Sequence, residues 1–319
     1  MRDSWYTMTS QAAKDRSVFV IKDRVDVTGF AIMVVLTLLW GFNYVMIKYS
    51  TLGLSPVFTS FLRSVIASVL GIIYCLSIKE PLFHRDIRLL HGCVIGLFFG
   101  LEFVCLYLGM IYTSAARAAV FVYLSPFVVG LGAHWFLGER LDLVKTISLV
   151  LAFFGVYLIF AGKPALHSKS MWLGDVLEIV AAIFWGLATL YIKKYLAGRV
   201  HPIHTFLYQL VFSIPVIFIC AVVMEPQWVR KVDHVIVVSI LYQSVIVAFA
   251  SYLVWFKMIH VYPVGRLSVF TFLAPIFGVL SGVFFLHEQA TAGLLIGLCC
   301  VCAGIYGTNY AKAKPAVAY

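Results

Sequence analysis

Charged side chains are scarce in this sequence. Aspartate, glutamate, lysine and arginine make up 12% of the 319 residues, whereas 62% of the residues are hydrophobic. A soluble protein carries about 25% charged residues, because its water-facing surface needs them. The shortage of charge, together with a mean hydropathy of +0.98, excludes a water-soluble globular protein and indicates a chain that lies in a lipid bilayer.

Several functional signatures are also missing. The first 27 residues have no early apolar run with a cleavage site, so we expect no cleaved signal peptide. No P-loop, HExxH or Gly-x-Ser-x-Gly sequence occurs, which argues against ATP-driven transport and against catalysis. The seven cysteines all fall in apolar stretches, where we expect them to act as small hydrophobic residues. We therefore predict no catalytic residue, no metal site and no cofactor.

The sequence instead contains ten long apolar stretches. About 20 apolar residues are needed for a helix to cross the hydrocarbon core, and helices satisfy their backbone polar groups internally there. Runs such as Ile147–Phe160 lack the two-residue alternation of membrane strands. We therefore predict an all-α membrane protein whose ten transmembrane helices cover 28–48, 55–77, 90–111, 115–137, 143–161, 174–196, 203–224, 234–258, 264–287 and 290–310.

Lysine and arginine are unevenly distributed between the two sides of this predicted topology. With the N-terminus inside, the inner segments hold about sixteen of them and the outer segments five or six. Because such a bias marks the cytoplasmic side, we predict a multi-pass protein of the cell (inner) membrane with both termini in the cytoplasm. The bilayer thus accounts for the net charge of +10, and we expect no nucleic-acid partner.

The two halves of the chain are similar in sequence. "WGFNYVMIKYS" from Trp40 resembles "WGLATLYIKKY" from Trp185, and the segment ending at Glu139 resembles the one ending at Glu288. Five spans per half is an odd number, so the second half must insert with the opposite orientation, a plan that recurs among secondary transporters. The predicted divisions are a polar cytoplasmic tail at 1–27, a first five-helix repeat at 28–161, a second at 174–310 and a cytoplasmic tail at 311–319.

Specific motifs resemble one protein family. The Trp40-Gly41 pair, Arg63 in "FLRSVIAS" and the segment "LYLGMIYTSAARAAVFVYLSPFVVGLGAHWFLGERL" are similar to the drug/metabolite transporter superfamily, in its EamA-type branch of ten-helix proteins. The second half repeats that segment as "MIHVYPVGRLSVFTFLAPIFGVLSGVFFLHEQ" and departs from the family at His287, where glycine is more usual. The resemblance covers about 28–310. It implies a carrier for metabolites such as amino acids or their derivatives, usually exported.

Two charged residues lie well inside predicted spans. Arg63 is eight residues from the outer end of the second span, and Glu102 is eight residues from the outer end of the third. At a rise of about 1.5 Å per residue both lie about 12 Å below the outer surface, so they can face each other. One interpretation is an ion pair that fixes helix packing. The other is that Arg63 or Glu102 contacts a charged or zwitterionic substrate or a coupling proton.

Aromatic and polar side chains in other spans complete the predicted substrate site, because aromatic walls with a few polar groups suit small amphipathic ligands. Each of them could instead anchor or pack a helix. They are Trp40, Asn43, Tyr44, Tyr107, Tyr123, Trp185, Gln243, Tyr252 and Phe270. Pro126 and Pro275 occupy matching places in the fourth and ninth spans, and since proline removes a helical hydrogen bond, we predict that both are hinges.

The predicted function is a secondary active transporter that moves a small metabolite, an amino acid or a related compound, outward by alternating access. A carrier for drug-like cations or for sugars is an alternative in the same class, and a membrane channel or scaffold is one from another class. The expected partners are a small-molecule substrate and the lipid bilayer. Protons are a candidate coupling ion, and a monomer and a homodimer are both open.

Overall fold

The computed structural model describes residues 22–113, 115–161, 171–286 and 292–310. Most of the predicted tail at 1–27, the tail at 311–319, and His287 and Glu288 lie outside the described residues. The helices are α1 (Val27–Ser50), α2 (Pro56–Ser77), α3 (Ile87–Tyr112), α4 (Ala115–Val122), α5 (Ser125–Phe136), α6 (Leu143–Phe160), α7 (Met171–Tyr191), α8 (Pro202–Met224), α9 (His234–Leu241), α10 (Tyr252–Val261), α11 (Val264–Phe270), α12 (Leu273–Leu286) and α13 (Ala292–Tyr310), with π-helical turns π1 (Ile192–Leu196) and π2 (Tyr242–Ser251).

The helices of the described residues correspond to the ten predicted spans. Seven helical segments are long and apolar enough to cross a membrane, and three shorter apolar helices at Val120–Phe136, Leu143–Ile159 and Leu295–Tyr310 account for the fourth, fifth and tenth spans. No strand occurs among the described residues, which contain a single isolated backbone bridge between Leu54 and Val229. The prediction of an all-α membrane protein is therefore confirmed.

Short polar signals at the ends of the apolar runs determine where helices begin. An aspartate precedes each of four helices, and its side chain accepts a hydrogen bond from a backbone N–H of the first turn, which that turn cannot satisfy by itself. These caps are Asp26 for α1, Asp86 for α3, Asp142 for α6 and Asp233 for α9. Proline stands in the first turn of α2 and α8, where no helical partner for its nitrogen is needed.

The fourth and ninth spans are each broken into two helices. Tyr123 and Leu124 form a turn between α4 and α5, and Thr271 and Phe272 form a turn between α11 and α12. Pro126 and Pro275 follow these turns within the first residues of α5 and α12. Since proline cannot donate to the carbonyl four residues earlier, both breaks lie where the sequence places them. Whether the breaks act as hinges stays a prediction.

The two halves pack around each other in an approximately two-fold pattern. α6 packs against α13 and α2 against α8, and each of these pairs joins corresponding spans of the two halves. Helix α3 contacts α7, and the equivalent contact in the other half joins α9 and π2 to α1. In the same way, the contact between α12 and α1 is equivalent to the contact between α5 and α7. Each half crosses five times, so the two halves are antiparallel, as predicted.

Glycines allow the closest of these approaches. A Cβ atom added to Gly155 of α6 would lie 2.6 Å from the carbonyl oxygen of Gly297 of α13. Real Cβ atoms do not approach backbone atoms so closely, so the two helices can meet at this distance only with glycine. Close contact of small residues is a common way for helices to associate in lipid, where no hydrophobic driving force joins them.

At one end of the bundle, Glu225 joins the two halves. Its carboxylate accepts hydrogen bonds from the Val57 and Phe58 N–H groups, at 2.7 and 2.8 Å, and from Ser55 Oγ at 2.7 Å. Nearby, the Ser55 N–H donates to the carbonyl of Trp228 at 2.9 Å. A second-half acid thus satisfies the open N–H groups of a first-half helix, and we call this the Glu225 end.

At the opposite end, Glu139 makes the reciprocal contact. Its two carboxylate oxygens accept from the N–H groups of Val264 and Gly265, both at 3.0 Å, at the start of α11. Here a first-half acid caps a second-half helix. Asp26 lies at this same end and accepts from the hydroxyl of Tyr262 at 2.7 Å. We call this the Glu139 end.

Candidate substrate site

A cavity of about 130 Å³ lies between the two halves, near the middle of the bundle. Helices α1, α2, α3, α7, α8 and α10, the turn after α4, and π2 contribute to its wall. Nine of the eleven residues predicted for the substrate site line it: Trp40, Asn43, Tyr44, Arg63, Glu102, Tyr107, Tyr123, Trp185 and Tyr252. The structure therefore gathers, from six separate spans, most of the side chains that the sequence singles out.

Arg63 is 1% exposed, yet much of its hydrogen-bonding capacity is unused. Its guanidinium carbon lies 4.2 Å from the ring centroid of Phe103 and 5.8 Å from that of Tyr252, and the guanidinium also hydrogen bonds with Tyr252. Stacking on ring faces stabilises the cation without using its planar N–H donors. Within the described part of the chain, Nε and Nη2 of Arg63 have no hydrogen-bond partner. The cavity wall thus holds a positive charge with free donors.

Glu102 lies on the same cavity and is 7% exposed. Among the described residues no ion pair within 4.0 Å joins its carboxylate to Arg63, although the guanidinium acts on it through space. The two residues therefore form no direct ion pair, and the choice between a packing role and a substrate-binding role stays a prediction. Both side chains line the same cavity, so a bound ligand could contact both of them.

Aromatic residues from both halves form the remaining wall. The hydroxyl groups of Tyr44 and Tyr123 are 3.1 Å apart and share a hydrogen bond, and the ring of Tyr123 meets that of Trp185 edge-on at 6.1 Å. Trp40 Nε1 donates to Ser251 Oγ at 2.9 Å, which fixes the indole against the second half. The repeat mates Trp40 and Trp185 therefore contribute to the same cavity.

Two predicted site residues lie outside the cavity lining. Gln243 is fully buried, and its Nε2 donates to Ser50 Oγ at 3.0 Å and to the carbonyl of Met46 at 3.3 Å, so it joins π2 to α1. Phe270 is also fully buried and packs edge-on against Phe30 at 5.5 Å. The prediction that these two residues line the cavity is therefore wrong, because each side chain lies on a helix face that packs against a neighbouring helix.

Several residues of the site escape sequence reasoning. Gln209 and Thr189 line the cavity, as do Phe99, Phe103 and Trp255. Gln209 could have been predicted, because a polar residue inside an apolar span indicates a site. The three aromatic residues could not, because aromatic residues are common throughout the spans. Asp175 and Glu178 of α7 are also intramembrane acids that the sequence shows. Asp175 accepts from Thr113 Oγ1 at 2.7 Å and so joins α7 to the end of α3.

The chemistry of the cavity is that of binding. It offers one guanidinium, one carboxylate, an amide from Asn43 and another from Gln209, and aromatic rings. Within the described part of the chain, no group of three or more His, Cys, Asp or Glu side chains is arranged to hold a metal ion. The arrangement suits a small ligand with a negative group, a positive group and an apolar part.

Comparisons with known proteins place this fold. The model of the EamA-like transporter family matches residues 27–161 and again residues 172–310. The chain is 25% identical over 276 residues to "Uncharacterized transporter YoaV" of Bacillus subtilis (strain 168), covering 86% of this chain and 94% of that protein. It is also 25% identical over 276 residues to a "Probable amino-acid metabolite efflux pump" of Escherichia coli (strain K12), covering 84% and 90%.

A solved crystal structure of a protein shares the same fold. It superposes with a TM-score of 0.76 at 17% sequence identity and covers 88% of this chain and 98% of that one. The family model matches the chain twice, once in each half. The matches to the two relatives named above cover at least 90% of each of those proteins. The chain is therefore a multi-pass membrane protein that belongs to the EamA-like transporter family.

Proposed function

We propose that this protein is a secondary carrier that exports small zwitterionic metabolites of the amino-acid type across the cell membrane, with both termini in the cytoplasm. The observation that carries the proposal is the buried guanidinium of Arg63, which lines the same cavity as Glu102 and whose Nε and Nη2 have no hydrogen-bond partner in the described ranges. A membrane protein keeps charged groups at this depth at a considerable cost, and such groups usually serve transport.

The two charges suit the two ends of an amino acid. The free donors of Arg63 match the paired oxygens of a carboxylate, which a guanidinium binds with two parallel hydrogen bonds. Glu102 provides a counter-charge for an ammonium group. The rings of Trp40, Tyr123 and Trp185 offer apolar surface for a side chain. A sugar would leave both charges unpaired, and a drug-like cation would leave Arg63 unpaired, so these alternatives fit less well.

The fold supports alternating access. Two antiparallel halves enclose the cavity, and each end of the bundle is held by an acid of one half that caps a helix of the other, Glu225 at one end and Glu139 at the other. Breaking one contact while keeping the other would open the cavity to one side at a time. The relative named as an amino-acid metabolite efflux pump supports the outward direction.

A substrate panel with altered charges tests this function. Purified protein in liposomes would be offered labelled amino acids, their N-acetyl derivatives, which keep only the negative charge, and their methyl esters, which keep only the positive one. We expect saturable counterflow of the free amino acids and weak or absent flux of both derivatives. Liposomes without protein are the control for leakage.

Two outcomes would contradict the proposal. Flux that rises linearly with substrate concentration would indicate a channel. Preference for the methyl esters, unchanged in an Arg63→Gln variant, would indicate a carrier for organic cations that relies on Glu102 and the aromatic wall. Together with the Arg63→Gln variant, the panel therefore separates the proposal from a channel and from a carrier for organic cations.

A further inference from the structure

Glu178 is a buried carboxyl group outside the substrate cavity. It lies on α7 inside an apolar span, it is 1% exposed, and it does not line the cavity. An ionisable residue at such a position is costly and is usually retained for a function. Its neighbour Asp175, one turn away, is bound by Thr113, so the two acids of α7 have different surroundings.

The backbone of α3 covers this carboxyl group. A Cβ atom added to Gly109 would lie 2.6 Å from Glu178 Oε1 and 2.9 Å from its carboxyl carbon. Only glycine at this position leaves space for the acid between the two helices. Since α3 belongs to the first half and α7 to the second, Glu178 is enclosed where the two halves meet, and the enclosure lasts only while these helices are in contact.

Neither carboxyl oxygen of Glu178 has a hydrogen-bond partner among the residues that the structure describes. The titratable groups of the described residues that act on it through space are Asp175 on its own helix, Cys105 on α3 and Tyr44 on α1. None of these is a cation, and no described side chain of α4 or α5, which also pack against α7, is among them. A carboxylate without a donor or a counter-charge is strongly disfavoured away from water, so the neutral acid is the form that fits here.

Glu178 is also close to the substrate site. Trp185 and Thr189, which are seven and eleven residues further along α7, share its helix face and line the cavity. Tyr44, another lining residue, is within electrostatic reach of it. A movement that separates α7 from α3 would let water reach the acid. Water stabilises the ionised form, so the acid would then release its proton.

We propose that Glu178 is the proton-binding residue of this carrier: it holds a proton while α3 and α7 are in contact and releases it to water when they separate. The bound proton follows from the local geometry alone. The coupling of that proton to substrate movement rests on the proposed transport function. Each cycle would return the carboxylate to the neutral acid by taking up a proton from the other side of the membrane.

Infrared spectroscopy of the protein in lipid at neutral pH tests the bound proton without any substrate. We expect the C=O absorption of a carboxylic acid that lacks hydrogen bonds, and we expect it to disappear in Glu178→Gln. The matched control is Glu225→Gln, because Glu225 is also buried but has three donors, so its removal should leave this band unchanged. If wild type and Glu178→Gln have the same acid band, the proposal is wrong. Should Glu178→Gln fail to fold, Glu178→Asp must shift the band.

Transport measurements test the coupling. In liposomes that show counterflow of an amino acid, we expect an imposed proton gradient to accelerate transport by the wild-type protein. In Glu178→Gln the increase in rate caused by the gradient should be about ten-fold smaller. Full acceleration in Glu178→Gln would overturn the coupling. Absence of wild-type counterflow for every substrate would instead refute the transport proposal, and the infrared result would still decide whether Glu178 carries a proton.

Discussion

The first half of the chain supplies both charges of the cavity, whereas the second half supplies neutral groups. When the two halves are aligned by sequence, Arg63 corresponds to Tyr208 at an offset of 145 residues, and Glu102 corresponds to Ser251 or a close neighbour at an offset of 149. Tyr208 lies outside the cavity lining, and its hydroxyl accepts a hydrogen bond from the His84 N–H at 2.9 Å. Ser251 accepts from Trp40 and so holds an aromatic ring in place. The helices of the two halves correspond, but their chemistry diverges where the ligand is expected to bind.

At the two ends of the bundle each half contributes one capping acid, although the two acids are not repeat mates. Glu225 caps a first-half helix, and Glu139 caps a second-half helix, each with backbone N–H groups as donors. Both contacts use backbone N–H groups, which the first turn of any helix leaves open whatever its sequence. Ligand recognition depends on side chains, which can differ. The comparison therefore separates positions that serve the fold from positions that serve the substrate, and mutants can test that separation.

The largest expected effect is at Arg63. We expect Arg63→Gln to reduce counterflow of a zwitterionic amino acid about 100-fold, because a pair of charge-assisted hydrogen bonds contributes roughly 3 kcal/mol. The matched control is its repeat mate: Tyr208→Phe removes a hydroxyl that holds His84 outside the cavity and should leave transport within about two-fold. Equal losses in both variants would show that the charge asymmetry has no functional meaning.

The second effect is at Glu102. Glu102→Gln should reduce amino-acid counterflow about ten-fold, since one charge-assisted contact with the ammonium group is lost. The same variant should discriminate less against the N-acetyl derivative, which has no positive charge. Ser251→Ala at the mate position removes only the hydrogen bond from Trp40. An unchanged ratio of free amino acid to N-acetyl derivative in Glu102→Gln would contradict the assigned role.

The third comparison concerns the two ends. Glu225→Gln removes a carboxylate with three donors, and Glu139→Gln removes one with two. We expect both to lower the free energy of unfolding by about 1–2 kcal/mol, with the larger loss for Glu225→Gln. Thermal unfolding in detergent would measure this. A larger loss for Glu139→Gln, or no loss for either, would show that these contacts do not hold the ends together.

The smallest effect is at the exposed cap of α1. The Lys22 ammonium group first, then the Tyr262 hydroxyl and the Gly29 N–H, hold the pKa of Asp26 well below its usual range. A lowered folded-state pKa means that the stabilising contribution is complete above the ordinary aspartate pKa and is lost as the pH falls through the folded value. Thermal unfolding at decreasing pH should therefore show a small acid-dependent decline that Asp26→Asn lacks.

Local signals were sufficient for most of the fold. The apolar runs predicted ten spans, aspartates mark the beginnings of four helices, and Pro126 and Pro275 coincide with the two broken spans. These features follow from hydropathy, capping and the missing proline N–H, all of which act within a few residues. The π-helical segments π1 and π2 were not predicted, because the apolar runs that predict the spans do not distinguish α-helical from π-helical turns.

The site was only partly predictable. Residue chemistry singled out Arg63 and Glu102, and the structure brings both to one cavity. The same reasoning included Gln243 and Phe270, which face other helices, and omitted Gln209 and Glu178. Helix rotation about its own axis decides which face meets the cavity. In a span that is apolar on every side, the sequence carries little information about that rotation.

The sequence by itself determined that the chain crosses the membrane ten times in two antiparallel halves. Hydropathy is a local property, and the odd number of spans in each repeat can be counted directly. Only the tertiary structure decided that Arg63 and Glu102 share a cavity without a direct ion pair, and that Glu178 has no hydrogen-bond donor among the described residues. Glu225 and Glu178 are both glutamates in or beside apolar helices. One meets the open N–H groups of a helix start and the other meets the backbone of Gly109, and this difference exists only once the helices have packed.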